Sequence, residues 1–315
     1  MNVFEGYENL PAEMRGAAIA IGNFDGVHRG HQALLVRARE RAVAASRLGE
    51  RHLAGAMVFE PHPREYFHPE RPHFRLTSLR KKLALFERYE LDLAIVAPFD
   101  AVLARMDADT FIERVLVAGL GVRHVVVGYD FFFGEGRGGN AEHMQRRGAE
   151  LGFGVSVIPP VAEGGEVFSS SAIRAEIAQG DVAGAARMLG HWWSVSGEVV
   201  GGAKRGTGMG FPTANIVLPI GTPLAYGIYA VFVDIEGRRY QGAAYLGTRP
   251  TFDNGPPVLE VFLFDFDDDL YGREIEVSFV AFIRSDRRFD TMEALMVQMA
   301  ADCEKARQLL ATAPA

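Results

Sequence analysis

The feature that most constrains the fold is a regular alternation of short apolar runs and helical patterns through the first half of the chain. The strand-like runs cover residues 17–21, 53–59, 91–97, 123–128 and 154–158. The helical patterns between them cover residues 32–48, 78–89, 110–120 and 141–151. Strands joined through helices form right-handed crossovers, so this alternation predicts an α/β domain with a doubly wound parallel sheet.

The periodicity changes after about residue 190, where short runs with partial period-two alternation are separated by turn residues. These runs cover residues 195–200, 227–235, 239–246, 259–266 and 275–283. They predict an all-β domain, a small closed antiparallel barrel, which a helix over residues 291–310 follows. A chain of 315 residues is long enough for two domains. We place the domains at residues 1–185 and 186–315.

The amino-acid composition limits the kinds of molecule that the protein can bind and the compartment in which it can work. A net charge of −7 argues against a nucleic-acid-binding surface. No apolar stretch reaches membrane-spanning length, and residues 1–16 lack the basic and apolar regions of a signal peptide. Cys303 is the only cysteine, which excludes a disulfide framework and favours a reducing compartment. We therefore expect a cytoplasmic protein without nucleic-acid or membrane partners, and the sequence predicts no particular oligomeric state.

The turn from the first strand into the first helix, residues 22–31, reads Gly-Asn-Phe-Asp-Gly-Val-His-Arg-Gly-His. In a parallel sheet such a turn lies at the carboxyl edge, where ligands bind, and its glycines allow close backbone approach. His28 and His31 share a helix N-terminus that already favours an anion, so they suit a phosphate whose charge changes during reaction. The alternatives are a simple tight turn or a metal pair, although no third ligand has a familiar spacing.

Three later segments also follow strands and should reach the same edge. In Glu-Pro-His62-Pro the two prolines fix the backbone. His62 is therefore either a rigid residue in the wall of the site or a group that takes part in the chemistry. Residues 128–134 read Gly-Tyr-Asp-Phe-Phe-Phe-Gly, which is either core or ligand surface. Residues 169–180 begin with three serines and contain Arg174, a pattern of either a capped helix or a phosphate clamp.

A second candidate centre begins with the glycine-rich residues 197–211 and continues into Pro212-Thr-Ala-Asn215. The chain has no Walker A string, so a kinase here would not be a P-loop enzyme. Such a loop can close over phosphates or can simply be flexible. Thr213 and Asn215 offer oxygen ligands suited to Mg²⁺. Glu260 lies between apolar strand neighbours and is either a proton acceptor in a site or an outward-facing glutamate.

These strings resemble those of a known family. The first turn resembles the His-x-Gly-His signature of nucleotidyltransferases and, in full, the adenylyltransferase half of bacterial bifunctional riboflavin kinase/FAD synthetases. The Gly-x-Pro-Thr-Ala-Asn string and the run that begins at Leu259-Glu-Val resemble riboflavin kinases. The resemblance extends over residues 17–311 and implies two reactions. Riboflavin would be phosphorylated to FMN with Mg·ATP, and FMN would be adenylylated to FAD by a second ATP.

The resemblance also implies site residues. For adenylyl transfer, the implied ATP-binding residues are Gly22, Phe24, Asp25, Gly26, His28, Gly30, His31, Ser170, Ser171 and Arg174. The implied FMN-binding residues are His62, Asp130, Phe131 and Gly134. For the kinase, the implied ATP-binding residues are Gly202, Lys204, Gly210, Pro212, Thr213 and Asn215. Thr213 and Asn215 would also meet Mg²⁺. Glu260, Arg284 and Phe289 would bind riboflavin. His28 and His31 would be catalytic in adenylyl transfer, and Glu260 would be the kinase base.

Three positions depart from the family pattern. Phe132 stands where arginine is usual, Tyr245 where asparagine is common, and Phe262 where histidine often appears. Phe132 replaces a residue that would supply a cationic contact, whereas the changes at Tyr245 and Phe262 remove no proposed catalytic group. Two other functions remain open on the sequence alone: a nucleotidyltransferase for a different phosphorylated acceptor, and a non-catalytic flavin-binding protein.

Overall fold

The computed structural model describes residues 1–47, 49, 52–71, 73–201, 213–247 and 258–314. Two compact units make up the chain, Met1–Ser169 and Ser170–Ala315.

The first unit alternates strands and helices as the sequence predicts. Its strands and helices are β1 (Asn2–Glu5), β2 (Ala18–Ile21), α1 (Arg29–Ser46), β3 (Ala54–Glu60), α2 (Pro63–Phe67), α3 (Leu79–Arg88), β4 (Leu93–Pro98), α4 (Ala101–Ala104), α5 (Ala108–Thr110), α6 (Phe111–Leu120, a π-type helix), β5 (His124–Gly128), β6 (Phe132–Phe133), β7 (Gly139–Asn140), α7 (Ala141–Leu151), β8 (Gly154–Ile158), β9 (Ala162–Glu163) and β10 (Glu166–Val167). Single 3₁₀ turns occupy Ala12–Met14 and Glu135–Arg137.

Six strands form the parallel sheet, in the order β1-β4-β3-β2-β5-β8. The doubly wound prediction is therefore confirmed. Apolar side chains pack on both faces of this sheet. The chain runs from β2 outward through β3 to β4, and later returns to place β5 on the other side of β2. This reversal creates a switch point at the carboxyl end of β2, the position where open α/β sheets bind ligands.

The second unit contains two helices, a barrel and a final helix. Its elements are α8 (Ser170–Gln179), α9 (Val182–Leu189), β11 (Ser194–Val200), β12 (Thr213–Val217), β13 (Gly227–Ile235), β14 (Arg238–Gly247), β15 (Val258–Leu263), β16 (Glu274–Ser285) and α10 (Met292–Thr312). All six strands pair antiparallel in the order β11-β12-β15-β14-β13-β16, and β11 pairs with β16 to close the barrel. The predicted barrel and its following helix are confirmed.

Helix α10 packs on the outside of the barrel. Ala230 and Ala243 are small residues on adjacent strands, and they belong to the same buried cluster as Ala306 and Leu310 of α10. Small side chains on a strand face allow a helix to approach closely, so this part of the barrel surface is covered.

Helices α8 and α9 belong to the same unit as the barrel. The backbone N–H of Ala225 donates to the carbonyl of Ile177 in α8, and a methyl group added at Gly180 would contact Ala225. The chain therefore divides between Ser169 and Ser170, whereas the sequence places the domain boundary at residue 185. Within the described residues, no helix is long and apolar enough to cross a membrane.

Candidate active sites

The turn after β2 has an unusual backbone. Phe24 and Val27 adopt positive φ angles of 48° and 43°, and Gly26 one of 86°. A left-handed conformation is costly for a β-branched residue, so the surrounding structure must hold Val27 in place. The buried Asp25 carboxylate accepts the backbone N–H groups of Leu76 and Thr77, at 2.8 and 3.2 Å. These bonds fix the turn against the segment that precedes α3.

The two histidines of the turn lie against each other at the start of α1. His28 is the N-cap residue, and its Nδ1 accepts the backbone N–H of His31 at 3.3 Å. The imidazole rings stack with centroids 3.6 Å apart. Phe24 is fully buried beneath them, with its ring 5.2 Å from that of His31. The sequence prediction that both imidazoles share one helix N-terminus is thus met by the geometry.

Both imidazoles favour the neutral form. Burial lowers the pKa of His28 to about 4. Burial, followed by the nearby His28 and Lys82, lowers the pKa of His31 well below its ordinary value. Within the described residues, the buried Nδ1 of His31 has no hydrogen-bond partner. A buried polar atom without a partner is costly, so this nitrogen retains hydrogen-bonding capacity for a ligand.

Gly30 has no side chain, and the His28 ring fills the space that a side chain there would need. A Cβ atom added at Gly30 would lie 3.0 Å from His28 Cε1 and 3.1 Å from Nδ1. Any larger residue would therefore press on the ring that caps the helix. The space at Gly22 is less tight, because a Cβ atom added there would lie at an ordinary contact distance, 3.4 Å, from the Phe24 ring.

Lys82 is a residue of this site that the sequence analysis missed. It lies on α3 with only 4% of its surface exposed, and its Nζ donates to the carbonyl of Asn23 at 2.7 Å. Burial lowers its pKa, whereas the neighbouring Asp25 and Glu60 carboxylates raise it. In the sequence, Lys82 ends an Arg-Lys-Lys run typical of a solvated helix face. Only the packing of α3 against the turn distinguishes it from its neighbours.

His62 lies after β3 and begins α2. Its Nδ1 accepts the backbone N–H of Arg64 at 3.1 Å, and its ring lies 4.5 Å from the ring of His73. Burial is the largest cause that lowers the pKa of His62, to about 3. Beside it, the Arg75 guanidinium makes two bonds to the Glu60 carboxylate, at 2.9 and 2.7 Å, and also contacts Glu65. These side chains form a polar wall beside His62, and the role of His62 itself stays a prediction.

An aromatic cluster surrounds the same strand ends. Tyr66 packs edge-on against Phe67 and Phe99, and Phe99 packs in the same way against Phe59. Phe67 nevertheless keeps 56% of its surface exposed. An exposed phenylalanine in an otherwise packed cluster leaves an apolar surface for a partner of similar character.

The segment after β5 carries the other proposed FMN-binding residues. Asp130 is exposed, and the Phe131 ring stacks on that of Phe133 at 5.4 Å. Gly134 has φ of 74°, and an added Cβ would meet the Ala108 backbone nitrogen at 2.7 Å, so only glycine fits there. The guanidinium of Arg137 lies 4.4 Å from the centroid of the Phe132 ring. A cation therefore lies beside Phe132, where the resembled family usually has arginine.

Ser170, Ser171 and Arg174 lie in the first turns of α8, in the second compact unit. The guanidinium of Arg174 donates to the carbonyl of Ser170 at 3.2 Å. Because these residues and the two histidines belong to different units, their joint action on one phosphate chain stays a prediction.

Three residues of the kinase prediction, Asn215, Glu260 and Arg284, share one row across the barrel. Asn215 on β12 lies directly opposite Glu260 on β15, and Glu260 lies opposite Tyr245 on β14. The row continues to Ile228 on β13 and ends at Arg284 on β16. The strand pairing thus brings the proposed metal ligand Asn215 and the proposed base Glu260 side by side.

This row faces outward from the barrel. Leu259 and Val261, the neighbours of Glu260, are fully buried inside the barrel. Side chains alternate along a strand, so Glu260 points to the outer face, where it is partly buried. Asn215 is buried, and Thr213 lies two residues before it, on the same face and opposite Phe262.

Arg284 joins the end of the row to α10. Its guanidinium donates to both oxygens of the buried Asp302 carboxylate, with distances from 2.7 to 3.1 Å. The ring of Phe289 lies 5.7 Å from the Arg284 guanidinium and 4.7 Å from that of Arg287. Arg284 therefore has a structural partner, and its proposed contact with riboflavin stays a prediction. The other proposed kinase residues, Gly202, Lys204, Gly210 and Pro212, lie outside the described residues.

Comparison with known proteins agrees with this two-part arrangement. The FAD synthetase family matches residues 10–172, and the riboflavin kinase family matches residues 189–310. A bifunctional riboflavin kinase/FMN adenylyltransferase of Pseudomonas fluorescens is 41% identical and covers 99% of this chain and 98% of its own. The enzyme of the same name from Escherichia coli K12 is 40% identical, with coverage of 98% and 97%.

A solved structure has the same fold. A chain described as a macrolide-efflux protein from Streptococcus pneumoniae superposes with a TM-score of 0.84 and is 27% identical. It covers 97% of this chain and 98% of its own. Its name refers to a different activity, and a shared fold does not transfer a function. The matches over both halves, and the relatives that span nearly the full length, decide the family: the chain belongs to the bifunctional riboflavin kinase/FMN adenylyltransferase family.

Proposed function

We propose that this chain phosphorylates riboflavin to FMN and then adenylylates FMN to FAD, using ATP in both steps. The observation that carries the proposal is the presence of two separate polar centres, one in each compact unit. The first surrounds His28 and His31 at the switch point of the parallel sheet. The second is the Asn215–Glu260 pair on the outer face of the barrel.

In adenylyl transfer, the phosphate of FMN attacks the α-phosphorus of ATP, and the bond to pyrophosphate breaks. FMN supplies the nucleophile, so the protein needs to position the reactants and stabilise charge. The stacked imidazoles lie at the N-terminus of α1, which favours an anion. Both are neutral at pH 7 in the free protein, because burial lowers their pKa values. A bound polyphosphate would favour protonated imidazole, so the histidines can respond to charge that develops on the leaving group.

The apolar and polar surfaces near His62 suit the flavin. Phe67 offers an exposed ring beside the polar wall formed by Glu60, Glu65 and Arg75. A flavin has a flat apolar ring system and a phosphate-bearing chain, so it needs both kinds of surface. His62, Asp130, Phe131 and Gly134 remain the proposed FMN-binding residues.

In the kinase step, the ribityl 5′-hydroxyl attacks the γ-phosphorus of ATP. Glu260 accepts the proton of that hydroxyl, and ADP leaves. Glu260 belongs to a paired strand of the barrel, and the buried Asn215 lies directly across from it. This arrangement places a base and a neutral oxygen ligand within one cross-strand pair.

The donor set fits Mg²⁺. Thr213 and Asn215 offer a hydroxyl and an amide oxygen on the same face of β12. Mg²⁺ prefers oxygen ligands, and it commonly takes only one or two from the protein and the rest from substrate phosphates and water. We therefore propose that these two residues hold the Mg²⁺ of Mg·ATP, which neutralises charge on the phosphates when bound.

Two further statements belong to this proposal. We place the boundary between the two activities near residue 185, as the change of periodicity suggests. We also place the enzyme in the cytoplasm, where ATP is available and the single thiol of Cys303 would stay reduced.

The test is direct. The purified chain is incubated with riboflavin and Mg·ATP, and the flavins are separated by chromatography. The proposal expects FMN first and FAD later. FAD from supplied FMN without any phosphorylation of riboflavin would indicate a transferase alone. Bound riboflavin with no product would indicate a flavin-binding protein.

A further inference from the structure

Tyr245 occupies the position beside Glu260 in the outer row of the barrel. It lies directly opposite Glu260 on β15 and opposite Ile228 on β13. Its ring lies along its own strand, because a Cβ atom added at Gly247 would overlap the Tyr245 hydroxyl and ring. The absence of a side chain at Gly247 is what allows this orientation. The ring therefore lies over Gly247 on the outer face of β14.

The hydroxyl of Tyr245 reaches the segment that follows β16. It donates a hydrogen bond to a carboxylate oxygen of Asp286 at 3.0 Å. Asp286 is the first residue after β16. Burial, the bond to Asp286 and the charge of Glu260 all raise the pKa of the Tyr245 phenol. The phenol therefore remains protonated and acts as a donor at neutral pH.

The same segment is tied to α10 at its other end. The Phe289 ring lies beneath the guanidinium groups of Arg284 and Arg287. Arg287 also contacts Gln298, whose amide donates to Asp302 at 2.8 Å. Residues 286–289 are thus held by Tyr245 on the barrel side and by α10 on the helix side. Without the Tyr245 bond, the first of these attachments is lost.

We propose that Tyr245 is a positioning residue for riboflavin in the kinase site, acting through its bond to Asp286. This inference rests on the kinase role of Glu260. The hydroxyl of Tyr245 fixes the start of the 286–289 segment at the end of the Glu260 row. A fixed segment presents its surface to the flavin without a further ordering cost on binding. The role concerns substrate affinity, because the proton acceptor itself is Glu260.

The test replaces the hydroxyl while the ring is kept. Tyr245→Phe should raise KM and the dissociation constant for riboflavin about 5-fold, the effect of one exposed hydrogen bond to a carboxylate, and leave kcat within twofold. Asp286→Ala should have the same effect. The double variant should show no further loss, because both changes remove one interaction. Tyr240→Phe is the matched control, since it removes a hydroxyl from the same strand outside this row.

Riboflavin affinity is measured by fluorescence quenching of the full chain, independently of turnover. A Tyr245→Phe protein with unchanged KM and unchanged affinity would overturn the proposal. Additive effects of Tyr245→Phe and Asp286→Ala would also overturn it. A purely structural role would lower the melting temperature and the amount of active enzyme without changing KM. If the unaltered chain binds riboflavin but forms no FMN, the kinase assignment fails, and the affinity measurements still decide the role of Tyr245.

Discussion

Replacement of Lys82 by methionine tests whether this buried lysine is part of the adenylyl-transfer site. The substitution keeps most of the side-chain volume but removes the ammonium group. The carbonyl of Asn23 then loses its 2.7 Å bond, and the buried Asp25 carboxylate loses a nearby positive charge. Both groups belong to the turn that carries His28 and His31. The change therefore acts on the backbone of the site and on its electrostatic field.

The expected magnitudes follow from these contacts. An unpaired buried carbonyl costs about 1–3 kcal/mol, and the loss of a cation beside a buried carboxylate adds to this. Relief from burying an ammonium group offsets part of the cost, so we expect a loss of about 2 kcal/mol in the free energy of unfolding. Removal of a charge-stabilising group from an active site slows the chemical step by about 100-fold or more. We expect FAD formation to fall by about that factor.

Lys82→Gln is the matched control because it keeps a polar N–H donor on the same helix face while removing the charge. It should recover part of the stability but little of the rate. FAD formation from supplied FMN is measured by chromatography, and stability by urea unfolding. Riboflavin phosphorylation by the same preparation is the internal standard and should be unchanged. A folded Lys82→Met protein that forms FAD within twofold of the normal rate would refute this reasoning. So would an equal loss of both activities.

Three further predictions address stability, metal use and domain organisation. Because burial lowers the pKa of His28 to about 4 from an ordinary 6.5, the native state resists its protonation. The free energy of unfolding should therefore fall as pH drops from about 6.5 toward 4, by about 3 kcal/mol for this group, and His28→Asn should flatten that dependence in urea titrations. Asn215→Ala should raise the Mg²⁺ concentration needed for half-maximal riboflavin phosphorylation several-fold, with unchanged flavin affinity by fluorescence; an unchanged requirement would contradict the assignment. Fragments 170–315 and 181–315 should both fold by circular dichroism and make FMN but no FAD. The longer should melt higher because it keeps the Ile177 contacts; a folded fragment that binds riboflavin without phosphorylating it would contradict two independent sites.

The sequence predicted most of the fold because periodicity reports burial directly. Strands β2 and β4 of the sheet are apolar along their whole length, and burial alternates along β15 of the barrel. Strand β1 was missed because it is an edge strand whose residues are mostly exposed, so no apolar pattern marks it. Strand β12 was missed because its residues Thr213–Val217 were read for their metal-binding chemistry. In the structure these residues form a strand that places Asn215 directly opposite Glu260, and their metal binding stays a prediction.

The site was predicted to the extent that its residues are contiguous in the chain. His28 and His31 lie in one turn, so their stacking follows from a local motif. Lys82 and Tyr245 make their contacts across long sequence separations. Lys82 has no distinctive local pattern, and Tyr245 stands out only because the family commonly has asparagine there. Lys82 becomes recognisable only when α3 packs on the turn, and Tyr245 only when β14 pairs with β15. Residue type at one position cannot reveal such contacts.

The central claim is that one chain carries two independent activities, and a crossed pair of variants tests it most directly. Glu260→Gln and the double variant His28→Ala/His31→Ala are each supplied with riboflavin or with FMN, together with Mg·ATP, and the products are separated by chromatography. The account predicts that Glu260→Gln converts FMN to FAD normally but forms FMN from riboflavin at least about 100-fold more slowly. The double histidine variant should accumulate FMN from riboflavin and make almost no FAD. Loss of both activities in either folded variant, or normal FAD formation by the histidine variant, would contradict the claim.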